Sequence, residues 1–274
     1  MEEPKRVLFV NSEIFPYLPE SDISVLGRYL PQGIQESGKE IRSFMPRYGT
    51  VNERRNQLHE VIRLSGMNLV IDNTDHPLVI KVSSISSARM QVYFIDNEDY
   101  FRRKFIYADA EGHYFKDNDE RAIFFARGVL ETVKKLRWKP DIVHCQGWIS
   151  HFLPIYLKKV YNEDPIFSNV KVILSLYNDA NDITLNADSC SKAAFGKLST
   201  EDFPELSSSP TGKGLAKLAI DYADGIVFGE NMLDGEIASY AKASGKPALE
   251  YVKVSMDDMS FVSEYNRFYD QILK

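Results

Sequence analysis

The chain has 274 residues, 33 of them Lys or Arg and 39 Asp or Glu, which gives a formal net charge of −6. With 44% apolar and 26% charged residues it has the composition of a globular protein with a sizeable core, excluding a disordered or collagen-like chain. Such mild acidity creates no global field for nucleic acid or an anionic membrane, so neither is expected as a partner.

Two cysteines, Cys145 and Cys190, are too few for a disulfide framework or an all-cysteine metal site, and they suit a reducing compartment. The first residues run into an apolar stretch too short for a signal peptide, and no stretch approaches membrane-spanning length. The expected location is cytoplasmic, with no cofactor and no metal.

Val7 to Val10 is a continuous apolar run, the pattern of a strand buried on both faces of a parallel sheet. Ser21 and Asp22 offer capping side chains ahead of Ile23, Leu26, Leu30 and Ile34 at helical spacing, with Pro31 expected to kink that helix and Gly38 to end it. Ile41 to Met45 reads as the next strand, so the opening predicts a right-handed β-α-β crossover. From Leu58 to Asp96, alternating β-branched, aromatic and polar residues predict antiparallel strands inserted into this frame.

Asp117 and Glu120 have capping-box spacing before a helix whose stripe is Ile123, Phe124, Val129, Leu130, Val133 and Leu136. A strand through Ile142 to His144, a helix over 148–161 and a strand over 170–176 follow. Residues 178–210 are polar and serine-rich, and are expected to form a long mobile loop. A helix over 214–222, a strand over 225–228, a helix from near Met232 and a last helix over 261–273 complete the pattern. The predicted fold class is α/β: one Rossmann-like domain, a mostly parallel sheet with helices on both faces and an antiparallel insertion. It spans 1–245, and a tail over 246–274 carries a helix that packs back on it.

Ligands of open parallel sheets sit beyond the carboxyl ends of the strands, which focuses attention on the loops from Asn11, Pro46, His144, Tyr177 and Gly229. The first of these loops lacks glycine, so it cannot bring backbone amides against a pyrophosphate as a G-x-G-x-x-G turn does. Thr211-Gly212-Lys213-Gly214 has Ser207 where a phosphate loop needs glycine, and reads as the start of a helix. His144 and His151 have no third ligand at metal spacing, and His144 reads as a satisfied strand-end histidine. Trp148 suits either stacking on a sugar ring or stapling a helix to the sheet. Arg102 to Lys104 and Lys134-Lys135 read as solvated faces.

Several stretches together resemble the amino-terminal half of bacterial glycogen and starch synthases, transferases that extend α-1,4-glucan from ADP-glucose. They are Arg6 to Pro16, Ile41 to Gly49, Tyr93 to Asp96, Tyr100-Phe101 with Arg103, Asp117-Asn118 with Arg121 and Phe124-Phe125, and Trp138 to Trp148 with Leu153-Pro154. The resemblance is collinear from about residue 4 to 235. It implies one half of a two-lobed GT-B fold, with the second lobe absent, and Phe261 to Leu273 resembles the family's last helix, which crosses back onto the first lobe. The apolar residues of that segment, Phe261, Tyr265, Phe268, Tyr269 and Ile272, have the spacing to cover a hydrophobic face.

The same resemblance marks departures. Pro19-Glu20-Ser21-Asp22 stands where the family has Lys-Thr-Gly-Gly, and Val25 where it has an aspartate. Gln146-Gly147-Trp148-Ile149 replaces His-Asp-Trp-His, and Tyr177-Asn178 replaces His-Asn. These changes remove a cation and an imidazole and add carboxylates, so ADP-glucose is not expected to bind. The implied function is a degenerate synthase-like protein without autonomous glucosyl transfer, with a glucan-binding or regulatory role. Candidate ligand contacts are Tyr17, Tyr100, Phe101, Gln146, Trp148 and Asn178, and the expected partner is an α-glucan or a partner synthase. Two alternatives are a transferase completed by a separate donor-binding subunit and a structural homodimer.

Overall fold

A computed structural model describes residues 3–255 and 259–274. The strands are β1 (Arg6–Asn11), β2 (Glu40–Pro46), β3 (His59–Glu60), β4 (Met67–Ile71), β5 (Thr74–Ile85), β6 (Met90–Asp96), β7 (Ile142–Gln146), β8 (Lys171–Leu176), β9 (Gly225–Phe228) and β10 (Ala248–Leu249). They form one sheet in the order β10-β9-β8-β7-β1-β2-β6-β5-β3, with β4 paired to β5. From β10 to β6 every pairing is parallel, and β3, β4 and β5 form the antiparallel insertion.

The helices are α1 (Asp22–Glu36), α2 (Glu98–Phe101), α3 (Asn118–Leu136), α4 (Leu153–Lys159), α5 (Ser189–Ala193), α6 (Pro204–Ser208), α7 (Gly212–Tyr222), α8 (Gly235–Ala243) and α9 (Phe261–Ile272). The two-residue repeat of the strands divides them between two cores. Leu8 and Val10 of β1 face the layer of α3, α4 and α7, whereas Val7 and Phe9 face α1 and α9. β1 is therefore apolar throughout because both its faces are covered.

Helix α1 begins with a reciprocal cap: Ser24 N–H donates to Ser21 Oγ and Ser21 N–H donates to Ser24 Oγ. The Asp117 capping box expected for α3 does not form. The Asp117 side chain accepts no helix N–H and instead takes Arg103 Nη1–H at 2.7 Å, so Arg103 is ion-paired rather than freely solvated. Residues 178–210 also depart from the expected loop. They contain α5, α6 and a 3-10 turn at Thr200–Asp202, anchored by buried Leu185, Cys190, Leu198, Phe203 and Leu206. The expected helix over 148–161 divides into a 3-10 turn at Trp148–Ser150 and α4.

Beyond residue 245 the chain continues the same body. β10 extends the parallel sheet alongside β9, and α9 buries Phe261, Tyr265, Phe268, Tyr269 and Ile272 in the core shared with α1. Close approach requires glycines beneath it: a Cβ at Gly225 would lie 2.7 Å from Ile272 Cδ1, and one at Gly33 2.4 Å from Val262 Cγ2.

Candidate functional site

Strand order reverses at β1, which lies between β2 and β7, and the loops after β1 and β7 meet at this switch point. Ser12 N–H donates to the Gln146 carbonyl at 2.8 Å. Gly147, at φ +84°, allows the contact, because a Cβ there would stand 2.0 Å from Ser12 Oγ and 3.1 Å from Asp179 Oδ2. Asp179 Oδ2 accepts the backbone N–H of Trp148 at 2.9 Å, so the loop after β8 joins the same crevice.

Carboxylates dominate this crevice. Burial raises Asp179 to about 7, and the nearby Glu13 and Glu230 charges push in the same direction. Burial also raises Glu13, whose Oε2 accepts Ser21 Oγ–H at 2.7 Å. Asp22 opens α1 beside a small cavity of about 120 Å³, lined also by Tyr177, Gly229, Tyr265 and the tail residues Tyr251 to Val254. Lys253 is the cation on that wall. At the positive end of α1 the Ser21 and Ser24 amides are taken by the reciprocal cap, and Glu20 and Asp22 flank it with negative charge.

On the sheet face toward α1 and α9, Asn11 and Gln146 are register neighbours, both fully buried. None of their four amide nitrogen and oxygen atoms has a hydrogen-bond partner in the protein. His144, two residues earlier on the same face, is satisfied: Nδ1 lies 2.7 Å from Tyr269 Oη and Nε2 2.7 Å from Ser175 Oγ. It is the satisfied histidine that the sequence suggested, and burial depresses it to about 3.

The sequence-derived candidates separate sharply. Tyr100 and Phe101 do not form an aromatic surface. They sit in the core against Phe124, and Arg121 holds the segment by donating Nε–H to the Tyr100 carbonyl at 2.7 Å. Trp148 is fully buried, edge-on to Tyr107 at 5.1 Å between centroids, which is the stapling alternative rather than an exposed stacking platform. Tyr17 is buried edge-on against Phe94. Asn178 is occupied by protein: its side chain binds Glu230, the Met232 carbonyl and Asp234 N–H, fixing the β9–α8 connection.

Among the departed positions, Ile149 is buried, Val25 is half-buried, and Pro19, Ser21 and Asp22 are exposed ahead of or at the start of α1. Tyr177 is buried with its ring against Gly229 and its hydroxyl unpartnered. Gln146 and Tyr177 thus share one face of the strand ends, near the loop that holds Pro19 to Asp22. Lys213, in the glycine-flanked segment, pairs with Asp234 at 2.9 Å, and Thr211 caps α7, so this segment is the start of a helix. Glu13, Asp179 and Glu230 were not singled out by sequence. Their signal was position alone, two or three residues past a strand end.

The family model for the starch synthase catalytic domain matches residues 6–248. The glycogen synthase of Chlorobium limicola is 41% identical over 174 residues, which cover 63% of this chain and 36% of that protein. The glycogen synthase of Chlorobaculum tepidum is 37% identical with the same coverage. The chain therefore spans about a third of the length of these curated relatives. Among solved structures, the catalytic domain of starch synthase IV from Arabidopsis thaliana, bound to ADP and acarbose, superposes with a TM-score of 0.73 at 16% identity, over 92% of this chain and 52% of that one. That likeness is one of fold, and it identifies the α/β body as half of a GT-B architecture. On the extent of the family match, this chain belongs to the starch synthase catalytic domain family.

Proposed function

We propose that this chain does not by itself transfer glucose from ADP-glucose, and that it serves glucan metabolism by holding an α-glucan or a partner synthase. The observation carrying this reading is the charge of the crevice. Glu13 and Asp22 stand at the start of α1, whose amino terminus is already capped by Ser21, and in the adjoining crevice Glu13 and Glu230 act together on Asp179. A diphosphate entering there meets like charge and a helix terminus whose Ser21 and Ser24 amides are already bonded, where the family pattern has a lysine and glycine amides. Gln146 and Tyr177, in the two histidine positions, do not titrate near neutrality as imidazole does.

The test is incubation of the purified chain with radiolabelled ADP-glucose and glycogen, alongside calorimetric titration with ADP-glucose and ADP. No incorporation and no measurable heat of nucleotide binding are expected. Incorporation that copurifies with the chain would overturn the reading.

One observation favours a second reading, a transferase completed by another polypeptide. Beside Glu230 an open cleft of about 420 Å³ is lined by Phe228, Leu233 and Tyr251, with Met232 82% exposed. Activity appearing only when cell extract is added back, and following this chain through fractionation, would select that reading.

A further inference from the structure

A second cleft, of about 390 Å³, lies between the β4–β5 turn and the end of α5, and shares no lining residue with the strand-end loops. One apolar wall is Val70, 52% exposed on β4, and the other is the half-buried ring of Phe195 just beyond α5. A single guanidinium sets both. Arg127 stacks 3.8 Å from the Phe195 centroid and donates Nη1–H to the Val70 carbonyl at 2.6 Å.

The rim is polar. Asp72 and Asn73, both at positive φ, form the two-residue turn closing β4 onto β5, and they present an exposed carboxylate and amide. Ser191 adds a hydroxyl. The charges nearby argue against an anionic ligand. Lys192 is taken up by Asp119, Glu120 and Asp188 at 2.8–3.6 Å, and Arg127 is spent behind the ring, while Asp72 repels a negative group.

A largely polar cleft with two apolar walls, Val70 and Phe195, and a carboxylate, amide and hydroxyl at its rim matches a pyranose ring, whose C–H face packs on the walls while its hydroxyls hydrogen-bond at the rim. We propose that this cleft binds a neutral pyranose oligosaccharide, and, resting on the reading above, that the oligosaccharide is an α-1,4-glucan. The cleft supplies an accessible, half-buried aromatic ring, Phe195, which Tyr100, Phe101 and Trp148, all buried, do not.

The experiment titrates the full chain calorimetrically with maltoheptaose and, for comparison, cellohexaose. It repeats both titrations with Phe195→Ala and with Val70→Asp, the second an exposed position that keeps the test available if the first variant fails to fold. Saturable maltoheptaose binding is expected, weakened about tenfold or more in each folded variant, with amide chemical-shift changes at Asp72, Asn73, Ser191 and Gly196. Binding of neither saccharide, or binding undiminished in the variants, overturns the site. Cellohexaose binding there without maltoheptaose keeps the pyranose site and overturns its assignment to glucan.

Discussion

Tyr269 Oη, on the last helix, lies 2.7 Å from Nδ1 of His144 on the central strand β7, and both residues are fully buried. The contact joins residues 125 positions apart and ties α9 to the middle of the parallel sheet. Because Nε2 of the same ring meets Ser175 Oγ, the imidazole uses both nitrogens without carrying charge.

Removing the hydroxyl with Tyr269→Phe leaves one buried ring nitrogen unsatisfied while preserving the apolar packing of α9. A loss of about 1–3 kcal/mol is expected, the ordinary desolvation cost of a buried polar group deprived of its partner. Urea unfolding of the two proteins at pH 7 measures it. A change below ~0.3 kcal/mol would show that the hydrogen bond contributes nothing to docking the helix.

His151 gives a pH-dependent case. It is buried, neither ring nitrogen has a partner, and burial depresses it to about 3, below its ordinary value of 6.5. The unfolded chain therefore binds a proton that the folded chain refuses, and stability is lost as pH falls from 6.5 toward 3. His151→Phe should remove that share of the loss, so its advantage over the parent should grow by about 2 kcal/mol between pH 7 and pH 5. Parallel denaturation curves at the two pH values decide the matter: an advantage that does not change with pH would rule out a buried neutral imidazole.

Asp179 has the opposite sign. Burial, reinforced by Glu13 and Glu230 against the Trp148 N–H, raises it from 3.8 to about 7 in the folded chain. The folded state then holds a proton that the unfolded state has released, so stability falls as pH rises from about 4 through 7. Asp179→Asn keeps an oxygen to accept the Trp148 N–H and removes the charge. It should stabilise the protein on the order of 1–3 kcal/mol at pH 8 and not at pH 4. Thermal melts across this range check it, and an equal effect at both ends would contradict the assignment.

Much of this architecture could be read from local pattern. Val7 to Val10 and Gly225 to Phe228 are short apolar runs and Phe261 to Ile272 a stripe of helical spacing, and the observed elements follow them closely. Where order depends on distant partners, the pattern was silent. Residues 178–210 form helices of three to five residues, too short to show periodicity, and are held by single apolar anchors such as Phe203 and Leu206. Tyr100 and Phe101 read as surface aromatics because nothing local reveals that Arg121 clamps their segment to the core. The crevice was legible through its strand-end loops and lost cation, but the grouping of Glu13, Asp179 and Glu230 arises only when β1, β7, β8 and β9 are assembled into one sheet.

Carboxylates at the start of α1 set the outcome of restoring the cation of the family pattern. In Pro19→Lys, a lysine would stand in the exposed loop before α1, where its charge is offset by Glu20 and Asp22, with the Glu13 carboxyl bound to Ser21 close by. The Ser21 and Ser24 cap would still hold two of the amides at this terminus, those of Ser21 and Ser24. At physiological salt an exposed ammonium contributes at most about 1 kcal/mol to such a contact, roughly a fivefold change in affinity. Calorimetry with ADP-glucose should therefore show no binding in this single variant. A saturable, micromolar signal from Pro19→Lys alone would mean that the carboxylates and the capped helix do not bar the nucleotide sugar.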